Sequence, residues 1–357
     1  MKNLVLKALA AITIVAFTSI AFSLFISCNK EKEVNEKKIH SQIDNSKLSV
    51  INGILHFKDA KSFFEISNQL GIMTDTERDS WEESIGFVSL RKELKEVYRE
   101  LSQCDNKTTE DQILSKNSDI IVLQNNTIMP RIASNAYASV CNRNGIFYVE
   151  GVLHKVVDDQ IYISEDGQPE TIEKAIVDGK IPDGVKKLQY IKNTHSLLKS
   201  GECGSIKTAY AQSSDRKCDF EIKTYEYACG GCCGNFFREV RVELVIRNYK
   251  KNIWGNWKGY QTKCYYDNVA YTVIAPIVTG FNGESSIFYY KAITQNIGYG
   301  ESNGDWETYS KWWKVGDGVQ NVDIYDPKFD RVKGKASNRG LLDPNNPQWA
   351  EINCGIW

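Results

Sequence analysis

Apolar residues recur three and four apart between Asp59 and Leu101, and two apart over most of the chain beyond Tyr137. The first spacing predicts helices and the second predicts strands. Asp59 can cap a run that places Phe63, Ile66 and Leu70 on one face, with Gly71 as its stop. Thr74 and Glu77 have capping-box spacing for a second helix that turns Trp81 and Ile85 inward before Gly86. Leu90, Leu94, Val97 and Leu101 define a third, whose Arg91, Lys92, Glu93, Lys95 and Glu96 read as a solvated face. Ahead of these helices, Leu48 to Phe57 around Asn52-Gly53 predicts a short strand or hairpin edge. After them, Tyr137 to Asn142, Ile146 to Val149, Val152 to Val157 and Ile161 to Ser164 predict a four-stranded meander. Its turns fall at Asn144-Gly145, Glu150-Gly151 and Asp158-Asp159, and Asn144-Gly145 has the composition of a type I′ turn.

Pro169, Gly179, Pro182, Gly184, Gly201 and Gly204 then interrupt the chain, with a short helix from Thr171 to Val177 among them. A boundary is expected near residues 200 to 216. Beyond it Val240, Val242, Leu244 and Ile246 alternate with Arg241, Glu243, Val245 and Arg247. Similar pieces recur at Asp219 to Tyr227, Lys263 to Tyr266, Val269 to Ile274, Ser286 to Ala292 and Val322 to Tyr325. Many strands at such spacing predict a sandwich or barrel. The expected fold class is thus an α+β region of short helices and a β-meander over 48–200, followed by an all-β, sandwich-like domain over 216–357 with several disulfides.

The N-terminus supplies an address. Lys2 and Lys7 precede the uncharged run Ala8 to Ile26, and Ser27 stands before Cys28, the layout of a lipoprotein signal in which the thiol is lipidated. The other reading keeps about 19 apolar residues as a transmembrane anchor. Either way the protein is tethered outside the cytoplasm, in the lipoprotein reading at the outer membrane, periplasmic or surface-exposed. Residues 29–47 begin with alternating Lys and Glu and read as a charged tether. A net charge of −1 gives no field to gather a polyanion, so no nucleic-acid partner is expected.

An oxidising compartment changes how the ten cysteines are read. Cys203, Cys218, Cys229, Cys232, Cys233, Cys264 and Cys354 lie in the β-rich half and are disulfide candidates, with at least two bridges expected. Cys104 is the expected free thiol, and Cys141 either pairs or stays reduced. The cluster Cys229-Gly-Gly-Cys-Cys-Gly234 admits a redox pair, a thiolate metal site, or disulfides in a tight turn. The last is preferred, because no helix follows to lower a thiol pKa and adjacent cysteines are awkward tetrahedral ligands. His154 reads as a hydrogen-bonded strand residue, and His40, His56 and His195 are equally isolated, so no metal site and no cofactor are expected.

No nucleophile elbow, phosphate loop, dinucleotide fingerprint or H-E-x-x-H occurs, and no catalytic residue is assigned. The preferred function is non-enzymatic binding or adhesion to a glycan or protein through the C-terminal β domain. The alternative is a glycan-processing hydrolase using two carboxylates, with Asp305, Glu307, Asp323 and Asp326 as first suspects. Thirteen Trp and Tyr residues between Trp254 and Trp313 exceed what one sandwich core comfortably buries. Trp254, Trp257 and Trp306 sit in polar, Gly-rich segments, so they are expected to present rings to a ligand with Asp305 and Glu307 as hydrogen-bonding neighbours.

Asn52-Gly-Ile-Leu-His-Phe57, Trp81-Glu82 with Gly86-Phe-Val-Ser-Leu90, Asn144-Gly-Ile-Phe-Tyr-Val-Glu-Gly-Val-Leu-His-Lys155, Gly334-Lys-Ala-Ser-Asn-Arg339 and Trp349-Ala350 resemble a domain-of-unknown-function family of lipoproteins from Bacteroidota-type gut bacteria. The resemblance implies an envelope location and a two-part organisation. That family has no assigned activity, so it brings no functional residues.

Overall fold

Asp59 accepts a hydrogen bond from Ser62 N at 2.7 Å and starts α1, Ala60–Ile72, with Phe63, Ile66 and Leu70 buried as the spacing predicts. The computed structural model describes residues 43–158, 160–189, 203–231, 236–282, 285–302, 308–317 and 327–356. Helix α1 passes through Gly71 instead of stopping there; the glycine makes room for Trp312, whose ring would stand 2.6 Å from a Cβ. The Thr74–Glu77 capping box opens α2, Asp75–Ile85, which ends on left-handed Gly86. Ser89 caps α3, Leu90–Gln103, and Asn106 caps α4, Lys107–Lys116. The strand expected at Tyr137 to Asn142 is instead a turn of helix, α5 at Asn135–Ala138, capped by the Ser134 hydroxyl. The last helix is α6, Pro169–Asp178.

Nineteen strands complete the described elements. Strands β1 (Leu48–Ile51) and β2 (Ile54–Phe57) flank Asn52-Gly53, both with positive φ; β3 (Ile121–Gln124) and β4 (Thr127–Pro130) form a second hairpin. The meander is β5 (Ile146–Val149), β6 (Val152–Val157), β7 (Gln160–Ser164) and β8 (Val185–Gln189). Its paired positive-φ turn is Glu150-Gly151; of Asn144-Gly145 only the glycine has φ above zero, so the type I′ geometry expected there is absent. Then follow β9 (Ile206–Gln212), β10 (Arg216–Gly230), β11 (Phe236–Lys251), β12 (Trp257–Gly259), β13 (Cys264–Asn282) and β14 (Ser285–Glu301). Last come β15 (Thr308–Lys314), β16 (Phe329–Asn338), β17 (Leu342–Asp343), β18 (Asn346–Pro347) and β19 (Ala350–Cys354). The strand expected at Val322 to Tyr325 lies outside the described residues.

The sheets order as β1-β2-β5-β6-β7-β8, as β3-β4-β12-β11-β10-β9 with β15 also on β11, and as β14-β13-β16-β19; β17 and β18 pair alone. The pairing of β4 with β12 at Thr127 and Trp257 crosses the boundary expected near 200 to 216, and Asp44–Trp357 folds as one unit. Asp44, at the end of the expected tether, already caps a 3₁₀ turn of that unit, Asn45–Lys47.

The second and third sheets face each other. Phe220, Ile222, Val242, Leu244 and Ile246 meet Tyr271, Val273, Phe329 and Val332 in a buried core, the expected sandwich. The alternate residues of β10 and β11 carry charge, and helices cover them. Arg241 is fully buried, 3.6 Å above the Tyr227 ring and hydrogen-bonded to Glu239 at 3.2 Å. Lys223 donates to Ala133 O at 2.8 Å and to Glu221 at 2.9 Å, and Glu243 accepts from Asn135 N at 2.9 Å. Buried charge persists only where partners of this kind replace water. Arg91, expected on a solvated face, is buried as well, bonded to Asp75, Asp79 and Glu82. Burial lowers its pKa, but the three carboxylates outweigh burial and hold it above the usual arginine value.

Trp312 Nε1 donates to Ser67 O at 2.8 Å, and the Arg78 guanidinium lies 4.6 Å from the Trp312 ring. Those contacts fix α1 and α2 to β15. The meander joins through rings: Phe63 stacks between Phe147 and Tyr227, with centroids 5.1 Å away on each side.

Candidate interaction surface

Strands β13 and β14 pair from Tyr265–Glu301 to Asn282–Ser285, whereas β16 follows β13 only from Cys264 to Val273. Past Val273 the hairpin therefore runs on beyond β16. Asp317 braces this arm: its N donates to Pro276 O at 3.0 Å, and its Oδ2 accepts from Val278 N at 2.8 Å. Farther back, Thr272 and Thr294 share a hydrogen bond of 2.9 Å across the ladder, and Tyr271 donates to Gln295 at 2.6 Å.

Among the described residues β14 pairs with β13 alone, so its other backbone edge is unpartnered. Natural sheets usually protect such an edge with charges, proline or a short strand. Here Ser286 to Gly300 holds one charged residue, Lys291, and no proline. Ile274, Ile287, Tyr289, Tyr290 and Tyr299 are exposed on the hairpin, with Phe288 and Tyr290 in edge contact at 5.7 Å.

Of the tryptophans expected to bind a ligand, Trp257 is placed differently. Trp257 is only 7% exposed; it sits in β12 between β11 and β4, and its N donates to Asn126 O at 2.7 Å, so its ring packs instead of facing a ligand. Trp254 is half-buried in the turn before β12, which Glu110 holds through Asn252 and Asn256. Trp306, Asp305 and Glu307 lie outside the described residues, as do Asp323, Asp326 and Cys28.

Cysteine placement corrects the disulfide expectation. Cys203 and Cys354 are bridged, with Cα atoms 5.8 Å apart. Cys218, Cys229 and Cys264, also expected to pair, are free and buried, and burial raises each thiol pKa. They lie on strand faces that pack into the interior, where a thiol serves as a small apolar group. Cys104 and Cys141 are free too, while Cys232 and Cys233 lie outside the described residues. One disulfide is thus present among the described residues where at least two were expected. His154 is a strand residue held from both sides: Nδ1 meets Val152 O at 3.0 Å, and Gly230 N donates to Nε2 at 2.9 Å. Burial pushes its pKa down to about 3, so the imidazole is neutral.

A groove of about 480 Å³ lies between α6, β6 and the start of β3, floored by Ile120, Ile132, Val156 and Ile176. Its cations are engaged within the protein: Arg143 with Asp119 and Glu93, Lys155 with Glu173, and Arg131 with Asp158. A ligand there would meet an ion-paired rim.

No family model and no curated protein matches the chain. Among solved structures, the chain is similar to the crystal structure of a DUF4848 family protein from Bacteroides thetaiotaomicron VPI-5482. The identity is 17%, over 86% of this chain and 99% of that one, at a TM-score of 0.29. A likeness that loose assigns neither fold nor function.

The uncharged edge was legible but missed. A strand-length run with a single charge, ending in Gly-Tyr-Gly, is a signal that ring counting alone passed over.

Proposed function

We propose that this protein is an envelope lipoprotein, anchored through Cys28, whose C-terminal β region binds an extended segment of a partner protein along β14. The observation that carries this reading is the unpartnered edge of β14 with its exposed Ile287, Tyr289, Tyr290 and Tyr299. Strand addition uses the free N–H and C=O groups for affinity and the flanking side chains for choice of partner. The aliphatic Ile274 and Ile287 favour a polypeptide over a sugar, and the burial of Trp257 removes one of the flat rings a glycan would need. The expected signal at Lys2 to Cys28 supports the anchored location.

A photo-crosslinking residue at Tyr289 of the full-length protein, in cells, tests this. The expected result is an adduct whose sequenced peptide comes from another protein, lost when Ile287→Lys/Tyr299→Lys is added beside the crosslinker, while the melting temperature stays unchanged. An adduct of two copies of this chain, or none above background, overturns the reading. Retention on a glycan array without a polypeptide adduct overturns it in favour of sugar binding.

A further inference from the structure

A cavity of about 50 Å³ lies where α2 and α3 meet the helix-facing sides of β11 and β15. Four cations line it, Arg78, Arg91, Lys95 and Arg247, against one lining carboxylate, Asp75. Three of the cations are matched. Arg91 holds Asp75, Asp79 and Glu82; Lys95 reaches Asp79 at 2.7 Å and Asp75 at 3.5 Å; Arg78 donates to the carbonyls of Leu70, Met73 and Ser310.

Arg247 differs. It is 6% exposed, its Nε has no hydrogen-bond partner, and the carboxylates that act on it are Glu221, at 3.8 Å, and its cross-strand neighbour Asp219. Glu221 is held closer by Lys223, at 2.9 Å. Those carboxylates offset the charge, but the buried Nε–H still lacks an acceptor, and an unmet buried donor is costly unless an anion or water completes its shell. Ser310 and Thr308 line the same space, and each carries a hydroxyl that can donate to an anion. A cavity this size holds roughly three to five water molecules, which is also the room a five-atom oxyanion needs.

We propose that this cavity binds a tetrahedral oxyanion, inorganic phosphate or sulfate, on Arg247 with Ser310 and Thr308 as hydroxyl donors. Guanidinium and oxyanion match in a two-bond fork, which an arginine offers and a lysine does not. Asp75 also lines the cavity, but it lies within 4 Å of Arg78, Arg91 and Lys95, so those cations offset its repulsion. The site rests on observations separate from the β14 edge, and either reading can fail alone.

The test is a ³¹P NMR titration of the mature protein with inorganic phosphate, with sulfate competition and sodium chloride at matched ionic strength as the control. The expected result is a saturable phosphate shift, displaced by sulfate and not by chloride, and weakened at least tenfold in Arg247→Lys. Ser310→Ala with Thr308→Val leaves the charges in place and is expected to weaken binding as well, which keeps the test decisive if Arg247→Lys fails to fold. No saturable shift in the wild type, or unchanged affinity in Ser310→Ala/Thr308→Val, overturns the proposal; in the first case the cavity holds water and Arg247 is structural.

Discussion

Breaking the Cys203–Cys354 bridge should remove a large part of the stability of the β-sandwich. The bridge closes a loop of 151 residues, joining the segment before β9 to the last residue of β19. In the chain-entropy account, a loop of that length restricts the unfolded ensemble by about 5 kcal/mol. That is comparable to the total stability of an ordinary domain, about 5–15 kcal/mol. Strand β19 adds a local reason: it has five residues, pairs among the described residues only with β16, and buries Ala350 and Ile352. Without the bond nothing covalent stops this short edge strand from fraying. The assay is urea unfolding of the mature protein and of the double variant Cys203→Ala/Cys354→Ala, each with and without reductant. The variant should unfold at a clearly lower midpoint, with a loss of about 3–5 kcal/mol, and reductant should then have no further effect. Two results would refute the reasoning. One is a variant within about 1 kcal/mol of wild type; the other is a variant that reductant still destabilises, which would mean that a different pair carries the covalent constraint.

Two further outcomes follow from packing and protonation. Gly71→Ala places a methyl 2.6 Å from the Trp312 ring and its carbonyl, so overpacking of about 1–3 kcal/mol should outweigh the gain of up to about 1 kcal/mol that alanine brings to a helix; a variant as stable as wild type in thermal unfolding would contradict the contact. His154 has its pKa lowered to about 3 in the folded protein against an ordinary 6.5, so its contribution is complete above pH 6.5 and is lost as pH falls toward 3. Between pH 7 and pH 4 the wild type should therefore lose about 3 kcal/mol relative to His154→Gln in urea titrations, and parallel pH profiles would show that His154 titrates normally.

Local chemistry was the legible part of this fold. Asp59, Thr74 with Glu77, and Ser89 act within a few residues of themselves, so their caps form wherever the helices are placed. What a strand face or a helix face meets is decided by residues far along the chain, and there the reading failed. Arg241, Glu243 and Arg247 look like a wet face of β11 until α1, α2, α3 and α5 cover them. A clue was present: Glu221 and Lys223 on β10 stand on the same face as Glu239, Arg241, Glu243 and Arg247 on β11, so the two strands carry complementary charges able to pair away from water. Tyr137, Ser139 and Cys141 alternate like a strand, but the Ser134 cap and the buried contact of Tyr137 with Ala228 turn them into α5 and its exit. Of the candidate binding site the sequence showed the rings without their partners, and Trp257 was needed inside.

The two edges of the β14-β13-β16-β19 sheet are treated in opposite ways, and that contrast supports β14 as the place for the proposed partner. At one edge β19 is short, and its last residue is bonded to Cys203, so that edge is closed to strand addition by length and by a covalent stop. At the other, β14 is 17 residues long and nearly uncharged, with apolar side chains exposed. An edge of that kind invites unwanted pairing unless something occupies it. It is also held in shape before any partner arrives, by the Thr272–Thr294 and Tyr271–Gln295 bonds and by Asp317 behind β13. A strand already ordered loses little further entropy when a second strand is laid against it, so most of the new backbone hydrogen bonds would appear as affinity.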